Sequence, residues 1–591
     1  MIHGRSGPAP AHCTAPLPWA AVLLVWLGVA ALMLMAGWGR LAPAYFLDGD
    51  DALRLQQVRD LLQGQGWFDL HQYRIAPPEG VAMHWTRVVD VPIAALILAL
   101  RPLIGTSQAE VFAIVLVPLL CLLAAMALAA RLAHRLFGAN AGAYAALLVA
   151  ASFPASFRMM PLRIDHHAWQ FVLALVALNG LAARAPRSGG TVAGLALALA
   201  LSISLESLPL TVIFAGVCAL RLLRGDERWL CWFMGALSVS AMALFALTRA
   251  PGDLTDHCDA LSPVHLMALG AVAAGCAAFL PRLRRSPPAL GILVLGMCGV
   301  AAIAIFATRA PQCLSGDAFA ALDPLVRKVW LHSVVEGQPV WRQGVVLGAT
   351  MVFLPLFGLV ACWRLWRDAN VPQARDFWMD MGLLLAGATV IGLLVARASA
   401  VACLFAAVPA AWQIGDQIAR WSADRLLWRR LGRVVLLVLL LLPGAVAGSI
   451  SSAVRPEGAT SRSSTQACSM AALAPDLARI PPARVMAGLD IGPSLLVTSH
   501  HDVLATAHHR ASAAMRDLLV AFLGPDDGAH AIIARRHVGI VAICPTGSES
   551  RFYRKLAPDG FMAHLAAGRA PDWLVPVKVS TGSGMKVWRV R

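Results

Sequence analysis

Long apolar runs separated by short polar turns fill most of the first 450 residues. They fall near 18–38, 109–132, 141–158, 168–184, 190–206, 208–223, 227–247, 263–281, 288–308, 344–363, 378–396, 399–415 and 433–450. A helix needs roughly 17–25 residues to cross the hydrocarbon of a bilayer, so the pattern predicts about 13 spans. Segment 91–105 is also apolar, but it is short and holds Arg101 and two prolines. It reads as an interfacial or re-entrant helix. From residue 451 the pattern changes. A Ser/Thr/Arg-rich linker (Ser451–Ser469) leads into alternating short runs. Arg484–Ala487, Ile540–Ile543, Leu574–Val579 and Lys586–Val590 read as strands, and Ala511–Phe522 and Phe561–Ala567 as helices. The expected architecture is a polytopic α-helical membrane protein with a C-terminal α/β domain over 451–591.

Charge fixes the expected orientation. The 591 residues are 58% hydrophobic and 14% charged, which excludes an ordinary soluble enzyme. The net charge of +16 comes from arginines in short loops between apolar runs. These include Arg184/Arg187, Arg221/Arg224/Arg228, Arg282/Arg284/Arg285 and Arg420/Arg425/Arg429/Arg430/Arg433, joined by Arg131/Arg135 and Arg364/Arg367. With 91–105 left out of the count they all fall on one face, the positive-inside pattern of cytoplasmic loops rather than a nucleic-acid footprint. The same parity places loops 39–108 and 309–343 and the tail on the opposite side. A bacterial inner membrane is expected, with a disordered cytoplasmic N-terminus (1–17), an uncleaved first span and a periplasmic C-terminal domain. Of the twelve cysteines, Cys258, Cys313, Cys468 and Cys544 fall on the outer side. In an oxidising compartment they can pair as 258–313 and 468–544, although spacing alone leaves the pairing open.

The chemistry-bearing residues gather on that outer side. Asp48-Gly49-Asp50-Asp51 opens a stretch with helical spacing, where carboxylates suit a helix N-terminus. Three acids in four residues exceed what capping needs and match a hard divalent-metal site. Asp165-His166-His167 stands between two spans, with Asp165 and His167 positioned to share an ion. Pro77–Arg87 reads as a rigid turn followed by an amphipathic stretch at the headgroup surface, carrying Trp85. Glu336 lies in a turn-rich outer loop. Arg397 breaks the positive-inside pattern, as a cation facing a phosphate would. Glu206 is the main acid inside an apolar run.

These motifs together resemble the catalytic subunits of oligosaccharyltransferases, membrane glycosyltransferases of the GT-C class that use polyprenyl-phosphate-linked donors. Gly49-Asp50-Asp51…Val58-Arg59-Asp60 is similar to that family's first acidic motif, and Pro78-x-Gly80…Trp85 to its first loop. Asp165-His166-His167 resembles its second acidic motif, and Ser333-Val334-Val335-Glu336-Gly337-Gln338-Pro339 its Ser-Val-Ser-Glu-x-Gln-Pro loop. The resemblance implies Asp50, Asp165 and His167 as ligands of Mn2+ or Mg2+. It implies Asp50 or Asp51, with Glu336, as acceptor-activating groups, Arg397 on the donor phosphate, and Gln338 and Asp490 at substrate. It also implies 13 spans, a polyprenyl-(di)phosphate sugar donor, membrane lipid contacts, and inversion at the anomeric carbon.

The sequence departs from the family at Gly488-Leu489-Asp490-Ile491-Gly492. The family's Trp-Trp-Asp-Tyr-Gly motif, which reads the Asn-x-Ser/Thr acceptor, keeps only Asp and Gly here. The expected acceptor is therefore a glycan, lipid or protein other than an Asn sequon, with His508-His509-Arg510 a candidate for part of a different acceptor pocket. The alternatives are a transporter or flippase of lipid-linked glycans, with Glu206 as its intramembrane acid, or a non-catalytic protein that binds such lipids.

Overall fold

In the computed structural model, residues 17–41, 46–283, 287–316, 319, 321–454 and 468–591 are described. The N-terminal segment 1–16, Arg284, Arg285 and most of the Ser451–Ser469 linker lie outside them. Nine helices among the described residues are long and apolar enough to cross a membrane, or eleven if each of two bent pairs forms one span. The bent pairs are Ala139–Ala151 with Phe153–Met159, and Leu427–Leu441 with Pro443–Ser449. The expectation of 13 included two further segments. His167–Leu181 is a helix of only 15 residues, and Pro186–Ile203 spends its first turn on Pro-Arg-Ser-Gly-Gly. Segment 91–105 forms a 15-residue helix, Asp90–Ile104, too short to span upright. The chain is a multi-pass membrane protein.

Small residues set the helix packing. A Cβ on Gly194 would meet the Phe233 carbonyl at 2.5 Å, so Pro186–Ile203 and Arg228–Thr248 approach backbone to backbone. This is how helices associate where lipid removes the hydrophobic drive. Leu24, Leu27, Leu32 and Met35 on Trp19–Leu41 are exposed, the outward apolar surface that lipid requires.

The outer layer starts with the helix Gly49–Leu62, capped by Asp48, whose side chain accepts from the Asp50 amide at 3.2 Å. Two short strands follow, β1 (His71–Gln72) and β2 (Val81–Ala82), paired antiparallel. The C-terminal domain is built on five strands: β3 (Arg484–Met486), β4 (Asp502–Val503), β5 (Val538–Ile543), β6 (Leu574–Val577) and β7 (Lys586–Val590). Their order is β4-β3-β5-β7-β6, with β3 parallel to both neighbours and β7 antiparallel to both of its own. Helices Met470–Leu477, Gly492–Thr498, Ser512–Leu523, Asp526–Arg535, Ser548–Leu556 and Phe561–Ala566 complete it. The disulfides Cys258–Cys313 and Cys468–Cys544 are formed.

The domain is seated on the first outer loop. Val503 and Arg74–Ala76 exchange backbone hydrogen bonds, so the loop extends the sheet at β4. The Arg74 guanidinium donates to the carbonyls of Leu496, Ser499 and His501 at 3.0, 2.8 and 2.6 Å. Arg59 Nη1 donates to the Val497 carbonyl at 2.6 Å. One apolar core runs through both parts, joining Leu53, Ile75 and Met83 to Val485, Leu504 and Phe522. Trp85 belongs to this core at 2% exposure, under the Arg54 guanidinium, and not to a headgroup surface. Arg54 is itself held by the buried Asp90 at 2.8 Å.

Candidate active site

Five chain segments converge where the loops meet the helix ends. The first two are locked together. Asp51 is fully buried, and its Oδ1 accepts from the amides of Ile164 and Asp165 at 2.8 and 2.9 Å. Its Oδ2 stands 2.9 Å from Arg163 Nη1, which also donates to Asp48 at 3.0 Å. The loop reaches this position through Leu162, which adopts φ +72°. That region is unfavourable for a bulky side chain, and such strain is held in place only by surrounding contacts. Here they are the Asp51 hydrogen bonds and the Leu162 amide, which donates to the Ile114 carbonyl at 3.0 Å.

With Asp51 committed to this lock, Asp50 is the free carboxylate of the motif. It has no ion-pair partner among the described residues. Burial, then Asp48, Asp165 and Glu336, push its carboxyl well above the ordinary range. Asp165 is the opposite case. Burial opposes its charge, but His167 and Arg163 outweigh burial and hold the carboxyl well below that range. Asp165 Oδ1 accepts from the His167 amide at 3.0 Å, and Oδ2 lies 3.7 Å from His167 Nε2.

The third segment is the turn before Leu208–Leu223, which carries Glu206. Its Oε2 lies 3.9 Å from both His166 Nε2 and His167 Nδ1, and its Oε1 is 2.5 Å from Arg397 Nη2. Arg397 sits on the fourth segment, the turn Ala396–Ala398, opposite in its helix to the Arg420–Asp416 pair in the last turns of Ser399–Ala423. The fifth segment is the Glu336 loop. Arg158 Nη2 donates to Glu336 at 2.6 Å, and Arg397 Nη1 lies 3.4 Å from it. Burial opposes the Glu336 charge, but Arg158, His167 and Arg397 bring its carboxyl down to about 2. The Gln338 side chain donates to the His332 carbonyl within its own loop, at 2.6 Å. Its backbone carbonyl accepts from Ala396 and so supports the Arg397 turn.

The ligand set differs in emphasis from the one expected. His166, His167 and Glu206 offer ligand atoms all within 4.8 Å of one another. Asp165 is beside His167, and Asp50, which is not one of this group, lies near enough to Asp165 and Glu336 to feel their charge. Among the described residues neither ring nitrogen of His166 has a hydrogen-bond partner, Nε2 standing 3.9 Å from Glu206, and Arg158 Nη1 has none either. Orphaned imidazole nitrogens among carboxylates fit a divalent cation, and an orphaned guanidinium N–H fits an oxyanion. Arg158, Arg163 and Glu206 were not assigned to the site from the sequence. The only available signal was that each charge interrupts or borders an apolar run. Asp490 sits on the C-terminal domain, where the surrounding protein and the nearby Asp48 raise its carboxyl. Its amide and that of Leu489 donate to Glu549 at 3.2 and 2.7 Å.

The sequence matches no protein-family model and no curated protein. Solved structures do match. The archaeal oligosaccharyltransferase AglB from Archaeoglobus fulgidus, in complex with an inhibitory peptide and a dolichol-phosphate, aligns over 95% of this chain and 72% of its own. Its TM-score is 0.67 at 13% identity. The chain has the oligosaccharyltransferase fold. The apo form of the A. fulgidus oligosaccharyltransferase gives a TM-score of 0.66 at 14% identity, covering 91% of this chain and 71% of that one. Its complex with Zn and sulfate gives 0.61 at 12% identity, covering 91% and 70%. In this chain, the oligosaccharyltransferase fold brings two acidic motifs, two histidines and three arginines together at one end of the bundle.

Proposed function

We propose that this protein transfers a sugar or oligosaccharide from a polyprenyl-(di)phosphate donor to an acceptor on the extracytoplasmic face of the membrane. The observation that carries this reading is the convergence of Asp50, Asp165, His167 and Glu206 with Arg158 and Arg397. Such a set neutralises a leaving phosphate and handles a nucleophile's proton in one place. The relatives with this fold include one complexed with a dolichol-phosphate and one with Zn and sulfate, which supports a lipid-phosphate ligand and a divalent metal.

Asp165 and His167, with Glu206 or Asp50, would hold a divalent ion, Mn2+ or Mg2+, which when bound neutralises negative charge on the donor phosphate. Arg397 and Arg158 bind the phosphate oxygens, and Arg158 Nη1 has no hydrogen-bond partner among the described residues. Asp50 and Glu336 orient and polarise the acceptor. The acceptor heteroatom bonds to the anomeric carbon as the bond from that carbon to the phosphate oxygen breaks. The phosphate keeps the bonding electron pair, and the acceptor proton passes to the Asp50 carboxylate. The configuration at carbon inverts. An apolar groove of about 460 Å³ lined by Leu148, Phe153, Val346, Leu354 and Leu441 suits the polyprenyl chain. Its Phe153 shares the bent segment Phe153–Met159 with Arg158.

The acceptor is proposed to be something other than an Asn sequon. Asp490 has no aromatic neighbours in its motif, and its loop is fastened to Glu549 instead. Mass spectrometry of envelope glycans and glycoproteins with and without the gene tests the reading. Loss of one glycan modification is expected, and an unchanged glycan profile contradicts it.

A further inference from the structure

A second group of histidines stands at the seam between the C-terminal domain and the outer loops. His84 follows β2, and His508 and His509 precede the helix Ser512–Leu523. The three rings form a near-equilateral triangle, with centroids 5.2, 4.9 and 4.9 Å apart. One ligand nitrogen from each lies within 4.8 Å of the others. His84 Nδ1 and His508 Nε2 are 3.1 Å apart. That is the spacing of two imidazoles sharing one proton, and also of two imidazoles on one tetrahedral ion. His508 is 2% exposed, and its Nδ1 is buried with no hydrogen-bond partner among the described residues.

The surroundings favour the ion. His509 Nε2 is bonded to Asp259 Oδ2 at 2.7 Å, which leaves its other nitrogen to face inward. A carboxylate behind a histidine is the usual support of a metal-binding imidazole, because it fixes the ring and its tautomer. Two guanidiniums border the group, and both are already engaged. Arg510 makes a two-pronged pair with Asp259, at 2.8 Å on each oxygen, and Arg249 Nη2 donates to the His84 carbonyl at 2.7 Å.

We propose that His84, His508 and His509 form a second divalent-metal site of the zinc type. It fastens the C-terminal domain to the first outer loop, with Asp259 positioning His509. An all-imidazole donor set selects a borderline transition ion over Mg2+ or Ca2+. Trp85 lies against His508 on one side and His166 on the other, with ring centroids 5.3 and 6.2 Å away. A metal at this seam therefore fixes the wall of the candidate active site without taking part in its chemistry. The inference stands whether or not the protein transfers sugars.

The test uses full-length protein in detergent, stripped with chelator and titrated with Zn2+ alone. His167→Ala takes one donor from the catalytic candidate, and the second site is counted as the difference between proteins with and without His508. The His167→Ala protein is expected to bind one zinc ion tightly and to melt at a higher temperature when zinc is added. His167→Ala/His508→Gln is expected to lose both effects, and His167→Ala/Asp259→Asn to bind about 10–100-fold more weakly. Equal zinc stoichiometry and affinity with and without His508 overturns the proposal. Should the His508 variant fail to fold, Co2+ added to the His167→Ala protein decides. An intense tetrahedral visible spectrum, bleached by one equivalent of Zn2+, supports the site, and a spectrum showing only octahedral Co2+ overturns it.

Discussion

Asp51 accepts a hydrogen bond from the backbone amide of Asp165 at 2.9 Å, across 114 residues of sequence. The two acidic motifs are therefore one structural unit. The buried carboxylate of the first fixes the backbone from which the second presents its ligands, and Arg163 neutralises both. The adjacent aspartates stand in different settings: Asp51 holds the loop, and Asp50 has no ion-pair partner among the described residues.

The pair can be separated by substitution. Asp51→Ala leaves Arg163 buried without one of its partners and frees two amides, which is expected to cost about 3 kcal/mol. Thermal unfolding in detergent should show a lowered Tm together with lost transfer. Asp50→Asn removes a carboxylate surrounded by acids, so the metal-free protein should melt at the same temperature or higher while transfer is lost.

Arg158 and Arg397 converge on Glu336 with fork geometry that lysine lacks. Arg158→Lys and Arg397→Lys are each expected to raise KM for the lipid donor by about tenfold, or ~1.4 kcal/mol, with a smaller effect on the acceptor KM. Steady-state kinetics with the two substrates varied separately checks this.

Metal preference follows from the donors. With two imidazoles beside the carboxylates, Mn2+ should restore chelator-treated enzyme at lower concentration than Mg2+. Titration of activity with each ion reads the order directly, and equal half-saturation contradicts it.

The C-terminal domain carries a built-in pH response. Burial and then Asp490 raise the Glu549 carboxyl from 4.5 to about 7, against opposing hydrogen bonds from Tyr553 and the amides of Leu489 and Asp490. The folded state therefore holds this proton more tightly than the unfolded chain, and the contribution to stability falls as pH rises from about 4.5 to 7. Glu549→Gln should flatten that decline and raise Tm above pH 7 relative to the natural protein. Thermal scans of the two proteins across this range test the sign.

Much of the architecture was legible because lipid imposes a simple rule on sequence. Unbroken apolar runs give the helices, and Asp48–Asp51 and Asp165–His167 stand out at their edges. The domain strands were legible where they are long and β-rich, as in Val538–Ile543, but the two-residue strand Asp502–Val503 was not. It exists because Arg74–Ala76 pairs alongside it. Trp85 was misplaced because an amphipathic aromatic stretch looks the same whether lipid or another domain covers it. Arg158, Glu206 and the partnership of His84 with His508 depend on contacts between distant segments, which local spacing does not encode. Gln338 shows the converse. Its residue type matches a binding motif, yet its side chain is used inside the loop.

The central claim is tested most directly by incubating purified protein with a polyprenyl-diphosphate-linked sugar, a membrane-extract acceptor and Mn2+, and measuring release of polyprenyl diphosphate. The natural protein is expected to release it with transfer of the sugar, and folded Asp50→Asn protein to release none. Equal release by the two proteins, or none by the natural protein with any lipid-linked donor, contradicts the account.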